Sequence, residues 1–181
     1  MANLALKYPP QYTIDDYVNW EGDWELIEGF PYALAPSPVA KHQKVSLLIA
    51  RVIDQQIEET CPEECSVFFE LDWIISKDTV VRPDVAVVCG EVEDFIKKTP
   101  EVIFEVVSQH TAKKDEYLKF ALYEREGVPY YAIVYPELKK VRIFRLRDGR
   151  YEKVFESDRG SFKFEIKCPF EVDFTWMWQR V

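Results

Sequence analysis

Two carboxylates stand in segments of the sequence where apolar side chains would be expected. Asp84 lies within VVRPDVAVV and Glu105 within VIFEVV, and both segments are rich in Val and Ile, like central strands of a covered sheet. Burying an ionised carboxylate is costly unless it is paired with a cation or bound to a metal ion. If the two strands pair, the carboxylates converge and repel each other unless a cation lies between them. The pattern therefore predicts either a metal site or core salt bridges.

The salt-bridge interpretation has two candidate partners, Arg82 and Lys119. For one acid in a strand a satisfied core ion pair is the commoner arrangement, whereas two acids on consecutive strands favour a metal site. Lys119 follows Asp115 by four residues on a predicted helix, so an exposed Asp–Lys pair would also explain its position. Because Lys119 lies one residue from an apolar stripe, it can instead border the core and lean toward the sheet.

The elements that must position these residues follow from hydrophobic periodicity and turn signals. The predicted helices run from Thr13 to about Trp20, from Ser37-Pro38 to about Glu59, and from about Thr111 to Gly127. The predicted strands are WELIEG and FPYALA as a hairpin, then 66–76, 80–88, 102–107, 130–135, 141–147 and 151–155, with a turn at Asp148-Gly149. This order predicts a mixed sheet flanked by helices, α/β or α+β.

Composition and cysteine content restrict the class of protein. The 181 residues are 48% hydrophobic and 15% aromatic, which predicts one globular domain over residues 1–181. No run of eighteen apolar residues occurs and the N-terminus lacks a signal-peptide pattern, so we expect a cytoplasmic protein without a membrane segment. Cys61 and Cys65 would supply half a zinc site, but no second pair accompanies them. The default expectation is free thiols in a reducing compartment.

The charge distribution neither establishes nor excludes binding to nucleic acid. A net charge of −9 is unfavourable for a protein that wraps nucleic acid, since phosphate neutralisation needs Lys and Arg. Basic residues do cluster at 97–98, 113–114 and 139–150. Solvated turns and edge strands have the same composition, and for each cluster taken alone that interpretation is favoured.

Three segments in order, VRPDVAVV, PEVIFEVVSQHT and KKDEYLKFALYEREGVPYYAIVYP, resemble the Uma2 family of putative restriction endonucleases, a branch of the PD-(D/E)xK nuclease superfamily. The resemblance begins with WELIEG and covers nearly the whole chain. It implies a restriction-endonuclease-like fold, in which a central mixed sheet is flanked by helices and carries extra hairpins. It also implies hydrolysis of phosphodiester bonds in DNA, expected to be double-stranded, with Mg²⁺ as cofactor and Mn²⁺ as a substitute.

Residue by residue, the resemblance makes Asp84 the aspartate of the Pro-Asp element and Glu105 the second acidic residue. The leading hypothesis is that these two carboxylates, with the backbone carbonyl of Val106, hold Mg²⁺ through hard oxygen ligands. Glu25, within WELIEG, matches a glutamate expected to be an outer acidic ligand, where it would bind a second metal ion or hold a water.

A lysine should complete the site. The superfamily usually places it two residues after the second acid, but that position is Val107 here, and the match is Lys119 on the following helix. Lys119 would orient the attacking water or neutralise charge on the phosphate. Accessory candidates are His42, Asp115 and Ser108, although packing or capping explains His42 at least as well.

One segment beside the expected site departs from the family pattern. Where many relatives read Ser-Pro-Ser-Thr, this chain has Ser108-Gln109-His110-Thr111. This departure leaves substrate preference open.

Two other functions remain open. A nuclease-like fold with weak or lost activity, serving as an accessory or interaction protein, is favoured somewhat by the acidic balance and by Val107. An RNA-processing nuclease ranks lower, because the sequence has no basic, aromatic-interleaved strand pair of the RNA-binding type. A homodimer would supply two sites for double-strand cleavage, with Trp176 and Trp178 at its interface, but the same aromatics would equally cover a sheet edge.

Overall fold

The computed structural model of the chain describes residues 9–34, 39–107 and 114–181. The strands are β1 (Trp24–Ile27), β2 (Phe30–Ala33), β3 (Cys65–Phe69), β4 (Trp73–Ser76), β5 (Thr79–Val81), β6 (Val85–Cys89), β7 (Val102–Val106), β8 (Tyr130–Tyr135), β9 (Lys140–Arg147), β10 (Arg150–Ser157), β11 (Ser161–Phe164) and β12 (Phe170–Asp173). The helices are α1 (Ile14–Tyr17), α2 (Ala40–Thr60), α3 (Phe120–Arg125) and α4 (Phe174–Trp178). A π-helical turn, Lys114–Lys119, leads directly into α3.

The strands form a central mixed sheet with two smaller sheets. The central sheet has the strand order β10-β9-β8-β7-β6-β3, in which β7 and β8 are parallel and the other neighbouring pairs are antiparallel. A four-stranded sheet has the order β2-β1-β5-β4, and β11 pairs with β12. The predicted class, a mixed sheet with helices and extra hairpins, is confirmed.

One face of the central sheet packs against the long helix α2. Along β6 and β7, Val85, Val87 and Phe104 point to this face and join Phe164 and Phe170 of the β11–β12 hairpin in one core. The helix contributes residues at the predicted three- and four-residue spacing, namely Val45, Leu48, Ile49, Ile53 and Ile57. Since side chains alternate along a strand, Glu105 must point to the opposite face.

That opposite face forms a second core with the four-stranded sheet and α3. Ala86, Val88 and Ile103 of the central sheet pack there with Trp73 and Leu122. The functional candidates on β7 and on the π-helical turn therefore lie between the two larger sheets, in a largely apolar layer.

Two predicted strands are each divided in the structure. The prediction at 80–88 was wrong at Arg82-Pro83-Asp84, which separates β5 from β6, because proline cannot donate a hydrogen bond to a strand ladder. Asp84 therefore lies immediately before β6 and not inside a strand. The prediction at 66–76 is interrupted near Glu70, whose φ of 51° turns the chain from the central sheet into the four-stranded sheet.

Some element ends agree with the predictions, although α1 ends at Tyr17 and not near the predicted Trp20. The backbone N–H of Thr13 donates to Asp16 Oδ2 at 2.8 Å, which caps α1, and the turn predicted at Asp148-Gly149 joins β9 to β10. The predicted helix starts at Ser37-Pro38 and Thr111 lie outside the described residues. Within the described ranges, no helix has the length and apolar character that crossing a membrane requires.

The C-terminal tail packs against the body of the chain. Trp178 is buried in the core beneath α2, and the guanidinium of Arg180 lies 4.0 Å from the centre of the Trp176 ring. Of the two roles open for these tryptophans, packing within the chain accounts for both contacts.

Two disulfide bonds replace the free thiols expected from the sequence. Cys61 pairs with Cys168 and Cys65 with Cys89, so none of the four cysteines is free or able to bind zinc. The expectation of free thiols was wrong because it rested on an assumed reducing compartment, and the short spacing of Cys61 and Cys65 gave no indication of their partners. The actual partners are 107 and 24 residues apart in sequence, and the β3–β6 register brings Cys65 opposite Cys89.

We predict that reduction destabilises the folded chain. A disulfide closing a loop of about 100 residues stabilises by roughly 4 to 5 kcal/mol on the chain-entropy account, and the Cys61–Cys168 separation is of this size. Urea unfolding with and without reductant should show that the reductant lowers the free energy of unfolding by an amount of this order. Thiol alkylation of the denatured, unreduced chain should modify none of the four cysteines. Modification of all four would contradict the pairing.

Candidate active site

The pairing of β6 with β7 brings the two predicted carboxylates together. The register sets Val85 opposite Phe104, and continuing it by one residue sets Asp84 opposite Glu105. The backbone N–H of Val106 donates to Asp84 Oδ2 at 2.6 Å, which fixes the aspartate at the end of β7. The predicted convergence of the two strands is confirmed, although Asp84 reaches the site from the turn before β6.

Glu105 is a buried carboxylate with two donors on one oxygen. Its Oε1 accepts hydrogen bonds from Lys119 Nζ at 2.8 Å and from the Tyr123 hydroxyl at 2.7 Å. Burial raises the pKa of Glu105 well above its ordinary value; the charge of Lys119 opposes this rise and the charge of Asp84 adds to it. A cation between Asp84 and Glu105 would therefore favour the ionised form.

Lys119 is the buried cation of the site, with a relative exposure of 2%. Three carboxylate oxygens surround its Nζ, from Glu25 at 2.7 Å, Glu105 at 2.8 Å and Asp115 at 4.0 Å. Burial alone would lower the pKa of Lys119, but these carboxylates outweigh it and raise the pKa well above its ordinary value. The ammonium group therefore stays charged and joins β1, β7 and the π-helical turn.

Glu25 is fully buried on β1 and is held by donors on both oxygens. Besides the Lys119 contact, its Oε1 accepts from the Arg82 backbone N–H at 2.9 Å, and its Oε2 accepts from Lys114 Nζ at 2.5 Å. Burial would raise the pKa of Glu25, but Lys119 and Lys114 together hold it below its ordinary value. Glu25 is therefore an ionised bridge between two lysines.

The π-helical turn explains how both lysines reach one carboxylate. Residues five apart on an α-helix point in directions about 140° apart, whereas the i→i+5 hydrogen bonding of a π-turn brings such residues toward one side. Lys114 and Lys119 are five apart and both contact Glu25. Lys114 was missed from the sequence. Its only signal was membership of the basic dipeptide at 113–114, and nothing in the sequence indicated the π-turn.

His42, in the first turn of α2, lies beside the carboxylate of Asp84. Its Nε2 is 3.3 Å from Asp84 Oδ2. Burial would lower the pKa of His42, but the hydrogen bond to Asp84 and the charge of that carboxylate raise it. His42 Nδ1 is buried and has no hydrogen-bond partner within the described residues. The ring therefore belongs to the site's surroundings, against Asp84.

Of the other predicted residues that the structure describes, Asp115 lies at the site and Arg82 pairs with acids elsewhere. Asp115 is buried beside Lys119, and its carbonyl oxygen accepts from the Tyr131 hydroxyl at 2.9 Å. Arg82, the alternative ion-pair partner considered for the acids, instead contacts Asp72 Oδ1 and Asp23 Oδ1, each at 2.7 Å. Ser108, together with the departure at Gln109-His110, lies outside the described residues.

The basic cluster on β9 and β10 is neutralised by ion pairs. Each arginine there contacts a glutamate, in the pairs Arg142–Glu156, Arg145–Glu165, Arg147–Glu152 and Arg150–Glu124. This supports the interpretation of the cluster as solvated strand residues near the β10 edge of the central sheet rather than as a phosphate-binding surface.

The donor set fits a hard divalent cation at the Asp84–Glu105 end of the site. Asp84 Oδ1 and Glu105 Oε2 have no hydrogen-bond or ion-pair partner in the described ranges, while Asp84 Oδ2 and Glu105 Oε1 are both engaged. In the same ranges no group of three or more His, Cys, Asp or Glu side chains is arranged to hold a metal ion. Two carboxylates suffice for Mg²⁺, which usually keeps several waters and also takes substrate phosphate oxygens.

Comparisons with known proteins agree with the fold. The profile of a family described as "Uma2: Putative restriction endonuclease" matches residues 14–162. A crystal structure from Anabaena variabilis ATCC 29413, described as a putative nuclease belonging to DUF820, is similar with a TM-score of 0.74. It is 17% identical in sequence, over 92% of this chain and 97% of that chain, which establishes a shared fold. No curated protein matches.

We predict that Lys119→Met lowers the free energy of unfolding by about 3 to 5 kcal/mol at pH 7, because it leaves buried carboxylates without their cation. The loss should shrink as the pH is lowered from 7, since Glu105, whose pKa is raised by burial, takes up a proton more readily than an ordinary carboxylate and then needs no cation. Chemical unfolding across this pH range checks both expectations. The exposed Lys163→Met is the matched control, and a pH-independent loss would contradict the electrostatic explanation.

Proposed function

Because the chain belongs to the Uma2 family of putative restriction endonucleases, we propose that it hydrolyses phosphodiester bonds in DNA with the help of Mg²⁺ or Mn²⁺. The observation that carries the proposal is the pairing of Asp84 and Glu105 across β6 and β7, with Lys119 hydrogen-bonded to Glu105. A metal-dependent phosphodiesterase needs hard oxygen ligands converging beside a fixed cation.

Asp84 and Glu105 would hold the divalent cation through the oxygens that the protein does not already engage, with the Val106 carbonyl as a further candidate ligand. The bound cation would supply Lewis-acid stabilisation of the phosphate and lower the pKa of a coordinated water. The surrounding protein groups fix the ligands. The Val106 N–H and His42 hold one oxygen of Asp84, while Lys119 and Tyr123 hold one oxygen of Glu105.

Lys119 opposes the rise in the pKa of Glu105 that burial and Asp84 cause, and so favours the ionised ligand. Without a nearby positive charge, burial would favour protonated Glu105, which is a poor ligand for a cation. Glu25 in turn holds Lys119 from the opposite side. We therefore assign Glu25 a positioning role. Its two oxygens already accept from Lys114, Lys119 and an amide, so the second-metal role expected from the resemblance would require those contacts to be replaced.

The alternative function is an accessory or interaction protein on the same fold, without turnover. It is favoured by the protein donors that already contact the buried acids. Glu25 has donors on both oxygens and Glu105 has two donors on one oxygen. Around Glu25 and Lys119 these contacts are those of a core salt-bridge cluster. A measurement of divalent-metal binding distinguishes the two functions, because only the nuclease requires it.

We predict cleavage of plasmid DNA in Mg²⁺ or Mn²⁺, and a loss of at least about 100-fold in rate for Asp84→Asn. Residues that merely support metal ligands already change affinity or activity by about 10- to 100-fold, so a direct ligand should matter at least as much. The control is Asp158→Asn, on the exposed turn after β10, which should cleave like the wild type. Cleavage that survives the Asp84 change would exclude the assignment.

We also predict that the wild type binds Mn²⁺ in calorimetric titration, with affinity lowered at least about tenfold by Asp84→Asn and by Glu105→Gln. Both substitutions keep the side-chain volume and remove the charge that a hard cation needs. Asp158→Asn again serves as control. Wild-type protein that binds no Mn²⁺ in the presence or absence of DNA would favour the accessory function.

A further inference from the structure

Resting on the proposed nuclease function, we propose that Lys114, and not Lys119, is the lysine that contacts the phosphate of the substrate. The π-helical turn supplies two lysines to one carboxylate. Their surroundings differ, and the difference separates a lysine that holds the site together from one that can meet an incoming anion.

Lys119 has little capacity left for a substrate. Its ammonium carries three donors, and carboxylates from β1, β7 and the π-turn lie around it. With only 2% of the residue exposed, a phosphate oxygen could reach it only by displacing one of these acids. Displacement would bury an unpaired carboxylate next to an anion, which electrostatics opposes.

Lys114 has the opposite character. Among the described residues its Nζ contacts Glu25 Oε2, and 15% of its side chain is exposed. At least one of its three donors is therefore available in the described structure. Because Glu25 is fully buried and held by the Arg82 N–H and by Lys119 on its other oxygen, it fixes the ammonium of Lys114 in place.

The position of Lys114 relative to the metal-binding acids follows from an unbroken row of contacts. Glu105 contacts Lys119, Lys119 contacts Glu25, and Glu25 contacts Lys114. The row runs from the carboxylate proposed to hold the cation to the partly exposed ammonium. A phosphodiester bound at the acidic pair would otherwise meet a site whose remaining side chains are mainly carboxylates. A fixed, accessible ammonium group balances that charge.

The test compares Lys114→Gln and Lys114→Arg with the exposed control Lys163→Gln. Steady-state cleavage of a short labelled DNA duplex in Mn²⁺ gives kcat and KM for each variant. We expect kcat to fall about 100-fold in Lys114→Gln, the size seen when one donor to a developing anion is removed, and to recover in part in Lys114→Arg. The affinity for Mn²⁺ without DNA should stay close to wild type, and the urea midpoint should fall less than in Lys119→Met, because Glu25 keeps Lys119 and the Arg82 N–H.

Two results would overturn this assignment. One is wild-type kcat and KM in Lys114→Gln. The other is a fall in kcat that accompanies a urea midpoint lowered as far as in Lys119→Met and is not recovered by arginine, which would make Lys114 a structural partner of Glu25.

Duplex binding in Ca²⁺, measured without turnover, distinguishes failure of this inference from failure of the nuclease proposal. A wild type that binds the duplex but never cleaves it, with binding weakened at least about tenfold in Lys114→Gln, would keep the phosphate contact and reject the nuclease. Unchanged binding and unchanged cleavage in Lys114→Gln would reject the contact and keep the nuclease.

Discussion

The buried ammonium of Lys119 is the interaction on which the site depends. It lies among Glu25, Glu105 and Asp115, which come from the four-stranded sheet, the central sheet and the π-helical turn. In a medium of low polarity each of these charges would be costly alone, and the cluster is tolerable because opposite charges are in contact. The two sheets and the helix are therefore joined by one charged group as well as by apolar packing.

The carboxylates around Lys119 are compensated by positive charge to different degrees, so the two ends of the site differ in their electrostatics. At one end two lysines hold the pKa of Glu25 below its ordinary value, so that this carboxylate is fully compensated. At the other end the pKa of Glu105 is raised well above its ordinary value, with Asp84 adding to the rise. The shortage of positive charge thus lies at the Asp84–Glu105 end, where a divalent cation would relieve it.

The sequence predicted the parts of the site that depend on regular periodicity. Strand alternation identified Glu105 as an inward-facing acid, and helical spacing placed Asp115 and Lys119 together. It missed what depends on irregular backbone or distant pairing. The second lysine, Lys114, reaches Glu25 through a π-turn that no residue pattern announced. The disulfides join cysteines brought together by tertiary packing, and strand 80–88 was divided where Pro83 interrupts the ladder.

The net negative charge of the chain is compatible with the proposed cleavage of DNA, because the positive charges that would meet the substrate are those at the site. The arginines of β9 and β10 are committed to glutamates, so broad phosphate neutralisation, which dominates the affinity of basic DNA-binding proteins, has little basis on that surface. Attraction for a phosphodiester would instead be concentrated at the cation held by Asp84 and Glu105 and at the ammonium of Lys114. An acidic nuclease of this design would bind its substrate mainly where it reacts, and metal occupancy would then control recognition as well as chemistry.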